Sequence, residues 1–114
     1  MVIEALEIQG ATILFLAGDL DAPASVELRE IVAAIIEDGR LFLVLDISGV
    51  ERMYAAGMSA LLELQRIAEQ RGGRLVCCGG RPFVRELLRI TMIDGALDLQ
   101  TDLDSALDLA STAS

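Results

Sequence analysis

Runs of apolar residues alternate with stretches of helical periodicity along the chain. Residues 3–9 and 12–17 flank Gly10, which predicts two strands joined by a tight turn. The continuous apolar run 41–45 predicts a central strand that is covered on both faces and ended by Asp46. Two further strands are predicted at residues 75–78 and 96–100.

Four helices are predicted between and after these strands. Asp21 caps the first helix, whose buried stripe is expected to be Ala24, Leu28, Ile31 and Ile35. The second helix, residues 58–70, follows a loop that runs from Ser48 to Gly57. The third spans about residues 82–89, and Thr101 with Asp104 resembles a capping box for the last.

This order of elements predicts a single α/β domain over residues 1–114. Strands that alternate with helices form a mostly parallel sheet, and the opening hairpin makes the sheet mixed. Residues 111–114 are expected to be a frayed tail.

Charge and composition exclude several classes of partner. The formal net charge is −9, and the basic residues are all arginines, so the chain repels nucleic acid phosphates and anionic lipid surfaces. A basic protein partner fits this charge, although acidity also serves solubility.

Apolar runs fall short of the roughly 18 residues of a membrane span, and Glu4 without a basic segment argues against a signal peptide. We therefore expect a cytoplasmic protein without direct membrane insertion.

Catalytic chemistry is hard to place in this sequence. There is no His, which removes the usual general base and the commonest metal ligand. Cys77 and Cys78 are adjacent, so in a strand they point to opposite faces and are expected to be reduced, with one in the core. We expect no enzyme activity, no metal and no cofactor.

Two groups of residues nevertheless allow an alternative interpretation, as an anion site or as a metal site. The sequence from Gly79 to Pro82 could hold an anion with Arg81, but a glycine turn before a proline-started helix is favoured. Asp19, Asp21 and Asp46 near strand ends could suggest Mg²⁺, but caps and turn residues are favoured.

The start of the second helix is less ordinary. Met58 and Leu62 fall on the border of the polar side of the helix, which favours contact with a protein partner over contact with a neighbouring helix. Ala55 and Ala56 stand where a capping side chain is usual, at a cost of about 1 kcal/mol.

The order and spacing of these segments resemble the STAS family, the sulfate transporter and anti-sigma-factor antagonist domain. The resemblance covers residues 8–107 and rests on segments at residues 18–21, 43–50, 56–62, 79–84 and 90–95. It implies a sheet of four or five strands with about four helices packed mainly on one face. It also implies a protein switch, in which single-domain members bind an anti-sigma kinase and are released by phosphorylation.

The sequence departs from the family at the motif where the switch operates. The phosphoacceptor of the family is a Ser or Thr directly before the Gly of an Asp-Ser-Ser/Thr-Gly motif. Here Tyr54 replaces the Asp, and the acceptor position before Gly57 is Ala56, which has no hydroxyl. Ser59 is the nearest hydroxyl on the expected exposed face, three residues away.

Two functions follow as hypotheses. The first is an antagonist that binds a kinase-type anti-sigma factor and lacks the usual phosphoacceptor. The second is a scaffold or accessory subunit of a stress-signalling complex or of a lipid ABC transporter. The chain is expected to be a monomer or weak homodimer. The predicted partner-binding residues are Asp21, Tyr54, Ala55, Ala56, Gly57, Met58, Ser59 and Leu62.

Overall fold

Five strands pair in chain order to form one mixed sheet. The computed structural model describes residues 1–111. The strands are β1 (Val2–Ile8), β2 (Ala11–Leu20), β3 (Phe42–Met53), β4 (Arg74–Cys78) and β5 (Leu99–Gln100). The helices are α1 (Ala22–Glu37), α2 (Ala55–Gln70), α3 (Pro82–Ile90) and α4 (Leu103–Ser111), with a 3-10 turn at Ile93–Gly95. The tail predicted at residues 111–114 lies beyond the described residues, apart from Ser111 at the end of α4.

The opening hairpin is antiparallel, and the remaining strand pairs are parallel. Ile8 pairs with Ala11, so only Gln9 and Gly10 form the turn, with φ values of 54° and 83°. Two consecutive positive φ values give the tight turn whose twist suits a hairpin. The predicted mixed α/β sheet is confirmed.

Apolar side chains on the two faces of the sheet form two cores. The larger core lies under α1, α2 and α3 and includes Leu14, Leu45 and Leu75. The smaller core lies under α4 and includes Val44 and Val76. Helices thus lie mainly on one face, while α4 covers part of the other.

The predicted end of the central strand at Asp46 is wrong. β3 continues to Met53 because β2 runs beside it to Leu20, three residues past its predicted end. A Cβ at Gly49 would lie 2.6 Å from the carbonyl oxygen of Leu16, so glycine permits the two strands to approach. Polar and small residues here resemble a loop, but tertiary pairing overrides that local preference.

The buried stripe of α1 also differs from the prediction. Leu28 is buried as expected, but the residues that follow it in the core are Val32 and Ile36. Ile31 and Ile35 are only half-buried. Ala24 and Leu28 are therefore buried as predicted, whereas the second half of the stripe lies one residue further along the chain, because both sets of positions satisfy a helical period within an apolar stretch.

Capping residues explain where α1 and α4 begin. Asp21 caps α1 as predicted, because its Oδ1 accepts a hydrogen bond from the Ala24 amide at 3.0 Å. The predicted capping box of Thr101 is wrong. Asp102 caps α4 by accepting from the Ser105 amide at 2.8 Å, and this hydrogen bond lowers the pKa of the Asp102 carboxyl.

Candidate functional site

The beginnings of α1 and α2 lie side by side at one edge of the sheet. β2 and β3 are parallel neighbours, so the helices that follow them start at the same edge. The Tyr54 amide donates to the Leu20 carbonyl oxygen at 3.2 Å. This hydrogen bond brings Asp21, the next residue after Leu20, to the entry of α2.

α2 begins at Ala55, three residues earlier than predicted. Tyr54 occupies the N-cap, with φ −108° and ψ 167°, and its side chain makes no capping hydrogen bond. The first turn carries no acidic residue. The alanines are thus first-turn residues rather than the cap. The amide groups at this helix start lack a side-chain acceptor, as the sequence predicts.

Gly57 fixes the start of α2 against the end of β2. A Cβ at this position would lie 2.5 Å from the Leu20 carbonyl oxygen and 2.7 Å from Leu20 Cγ. Real Cβ atoms do not approach other heavy atoms so closely, so only glycine fits without a displacement. Gly57 is buried and therefore positions the site rather than offering a surface.

Met58 and Leu62 do not form the exposed pair that the sequence predicts. Met58 is only 8% exposed, and the Thr91 hydroxyl lies 3.7 Å from its sulfur. Leu62 is half-buried and packs against the same core. The prediction of a solvent-facing Met58 is wrong because the segment after α3 covers this side of α2. The contact with a neighbouring element, the alternative reading, describes Met58.

The exposed part of the site consists of Tyr54, Ala55 and Ser59, with Ala56 half-buried between them. Tyr54 is 46% exposed. Tyr54 lines a shallow groove of about 410 Å³ together with Glu51, Arg52, Met53 and Phe83. Aromatic and arginine side chains at a groove are the composition typical of protein interfaces.

Phe83, like Glu51, Arg52 and Met53, lines this groove but is not among the binding residues predicted from the sequence. It lies in the first turn of α3 beside Val84, which is buried, whereas Phe83 is 67% exposed. The sequence could have indicated that Phe83 is exposed, because a large aromatic side chain next to the buried position of a short helix falls outside the core stripe.

Residues 79–81 connect β4 to α3 and lie against Asp46 and Ser48 of β3. Asp46 Oδ1 accepts hydrogen bonds from the Ser48 amide at 2.9 Å and the Ser48 hydroxyl at 2.6 Å. A Cβ at Gly79 would lie 2.1 Å from Ser48 Oγ, so a side chain at this position would collide with Ser48. Arg81 donates to the Ser48 carbonyl oxygen at 3.4 Å. Pro82 begins α3, as the favoured interpretation predicts.

The two cysteines are free and buried on opposite faces of β4. Burial raises the pKa of the Cys77 and Cys78 thiols from their usual value of 9.0 to about 12. For Cys78, the carboxylates of Asp46 and Asp102 contribute to this rise in pKa, after burial as the main cause. Both side chains are therefore protonated at neutral pH, which makes them poor nucleophiles and poor ligands.

Residues 1–111 contain no group of three or more His, Cys, Asp or Glu side chains arranged to hold a metal ion. The helices in this part of the chain are also too short or too polar to cross a membrane. The start of α2 thus offers an exposed surface with a groove beside it.

Comparison with known proteins gives concordant matches. A family model described as "Mlab, STAS domain" matches residues 5–103. The chain is 29% identical over 85 residues to BtrV of Bordetella bronchiseptica, which is named as a candidate anti-sigma factor antagonist; the match spans 75% of this chain and 73% of BtrV.

Solved structures match the fold over nearly the whole chain. A crystal structure of a candidate anti-sigma factor antagonist from Thermotoga maritima has a TM-score of 0.86 at 14% identity, and the match covers 95% of this chain and 93% of that one. Unphosphorylated SpoIIAA, an anti-sigma factor antagonist, has a TM-score of 0.72 at 17% identity, with 94% and 96% covered. Bacillus SpoIIAA has also been solved in its phosphorylated form.

Proposed function

The chain belongs to the STAS domain family, and on that premise we propose that it is a non-catalytic antagonist that binds a kinase-type anti-sigma factor in the cytoplasm. The proposed binding surface is the exposed start of α2 with the adjoining cap of α1. The observation that carries the proposal is the position of Tyr54, Ala55 and Ser59, which are exposed directly before and within the first turns of a helix that Gly57 holds in place.

The proposed antagonist lacks the usual covalent off-switch. Ala56 precedes Gly57, as the phosphoacceptor does in the family, but its methyl group cannot carry a phosphate. A phosphate at this position would add roughly 1.5–2 negative charges at the positive end of the α2 dipole. Without it, binding is controlled by abundance, by a partner, or through another hydroxyl such as the exposed Ser59.

The test compares two variants at opposite ends of α2. Ser59→Arg places a long cation on the proposed surface, whereas Gln70→Arg adds the same cation at the other end of the helix, where Gln70 is also exposed. In capture experiments with the immobilised chain, we expect a kinase-type anti-sigma factor to be retained by the wild type and the Gln70 variant, and lost with the Ser59 variant. Absence of any such partner from the wild-type capture would contradict the proposed function.

A second candidate function is a constitutive accessory subunit of a stress-signalling scaffold or of a lipid ABC transporter. The same observation favours it, because a subunit that stays bound has no need of a hydroxyl at Ala56. Neighbouring genes for a sigma factor and a kinase support the antagonist, whereas neighbouring transporter genes support the subunit. A scaffold would also show a solution mass above that of a dimer.

A further inference from the structure

A cavity of about 240 Å³ lies between α1 and α2. Both helices connect neighbouring parallel strands over the same core, so they run side by side in the same direction. The inner wall of the cavity is aliphatic, because it consists of the buried Val32, Ile36 and Leu64 with the half-buried Ile67. Sites for drug-sized ligands measure roughly 300–1,000 Å³, so this cavity suits a smaller molecule with an aliphatic group.

An ion pair between the two helices closes one end of the cavity. Arg29 Nε donates to Glu63 Oε2 at 2.8 Å. Ala33 follows Arg29 at an interval of four residues, so it lies on the same side of α1. Ala33 is exposed, and its short side chain leaves the aliphatic wall accessible from solvent.

The other end of the cavity carries two opposite charges that do not pair. Glu37 and Arg71 line the cavity and lie two turns beyond Arg29 and Glu63 on their own helices, about 12 Å along each axis. Both are exposed, and in the part of the chain that the structure describes neither forms an ion pair. The space between their charged groups is therefore wider than a direct ion pair.

Glu37 lacks a local source of positive charge. Arg40, the cation nearest to it in the sequence, is held by Glu7 at 3.0 Å and by Asp38 at 3.2 Å. Glu37 is also the last residue of α1, and the last turn of this helix contains no basic residue. A carboxylate at the negative end of a helix dipole is unfavourable. A cation supplied by a ligand would relieve this arrangement.

The charges that line the cavity balance, whereas the whole chain has a formal charge of −9. The lining contains two arginines and two glutamates. The other charged residues of the two helices lie outside the lining and are Glu27, Glu30, Arg66 and Glu69. A ligand with one positive and one negative group therefore fits this site better than a simple anion or cation.

We propose that the cavity binds a free aliphatic α-amino acid. The side chain of the ligand lies on the aliphatic wall, its ammonium group donates to the Glu37 carboxylate, and its carboxylate accepts from the Arg71 guanidinium. Both charged groups of an α-amino acid are attached to one carbon, so the ligand spans a space that is too wide for a direct ion pair. The terminus of a protein partner would supply only one of the two charges. This site goes beyond the proposed function and does not depend on it.

The test titrates the isotope-labelled full chain with L-leucine and follows the amide resonances by NMR. We expect saturable shifts in residues 32–37 and 64–71. Three analogues each lack one of the recognised groups: leucinamide has no carboxylate, N-acetyl-leucine has no ammonium, and glycine has no aliphatic side chain. Each analogue should bind about fivefold more weakly than L-leucine or worse.

Two pairs of variants test the cavity itself. Ala33→Leu places a large side chain over the aliphatic wall, whereas Ala34→Leu makes the same change at an exposed residue of α1 outside the lining. We expect the first variant to weaken L-leucine binding at least about tenfold and the second to leave it unchanged. Glu37→Gln should weaken binding, whereas Glu30→Gln should not. Melting temperatures verify that all four variants are folded, and that of Glu37→Gln should be equal to or above the wild-type value.

Three results would overturn the inference. The first is the absence of saturable shifts up to about 10 mM L-leucine, tenfold above a millimolar dissociation constant. The second is binding of leucinamide and N-acetyl-leucine as tight as that of L-leucine. The third is equal binding of L-leucine by Ala33→Leu and Ala34→Leu. None of these results bears on capture of the anti-sigma partner, so the proposed function would be refuted or retained separately.

Discussion

Gly57→Ala tests whether the start of α2 is fixed by its contact with β2. The new Cβ would lie 2.5 Å from the Leu20 carbonyl oxygen and 2.7 Å from Leu20 Cγ. The first of these atoms belongs to the backbone of a fully buried residue and cannot rotate away. It also accepts the hydrogen bond of the Tyr54 amide, so the helix start and the exposed loop must move together.

Two opposing effects set the magnitude of this change. Overpacking a close contact costs typically about 1–3 kcal/mol. Replacing glycine by alanine within a helix returns about 1 kcal/mol. Because the obstructing atom is backbone, the overpacking cost lies toward the upper end of its range, and we expect the free energy of unfolding to fall by about 2 kcal/mol, or roughly 8 °C in melting temperature.

Urea denaturation followed by circular dichroism measures this change directly. Gly95→Ala is the matched control, because a Cβ at Gly95 meets no atom within 4 Å and its φ is not positive. We expect the control to be neutral or slightly stabilising, and Gly57→Ala to lose binding to the anti-sigma partner in addition to stability. A Gly57→Ala protein as stable as the control would refute the close approach of α2 to β2.

Three further predictions concern the interior. Thr12→Val should raise the free energy of unfolding by about 1 kcal/mol in urea denaturation, because the buried hydroxyl of Thr12 has no hydrogen-bond partner among residues 1–111. Met58→Asp should lower it by about 3 kcal/mol or more by burying an unpaired charge, whereas Ser59→Asp should leave it nearly unchanged. Cys77 and Cys78 should resist a thiol reagent in the native state. Because their thiols have a pKa of about 12 when folded, the unfolded chain ionises first, and stability should fall as the pH rises above 9.

The sequence predicts the order of strands and helices well because their apolar patterns are long and continuous. The hairpin at Gly10 and the cap at Asp21 depend on local chemistry, which the sequence displays directly. The extension of β3 past Asp46 could not be predicted in this way, because it depends on pairing with β2, a segment far away in the chain.

The binding site could be predicted only in part, because contacts between segments that are distant in the sequence decide the rest. Ser59 is exposed, as the helical period indicates, and Tyr54 and Ala55, which the sequence places in the loop before the helix, are exposed as well. Met58 required knowledge of α3, because the Thr91 side chain at the end of that helix covers it. Phe83 was missed, since its place beside Tyr54 is set by the packing of two helices that are distant in sequence.

The central claim is that this chain binds its partner through the start of α2 without a covalent off-switch. The most direct test measures the affinity of the chain for the anti-sigma partner with and without Mg-ATP. We predict that the wild-type chain gains no phosphoryl group and keeps its Kd in both conditions. Ala56→Ser should acquire one phosphoryl group and be released. A wild-type chain that is phosphorylated in the segment 54–59 and released by ATP would contradict the account.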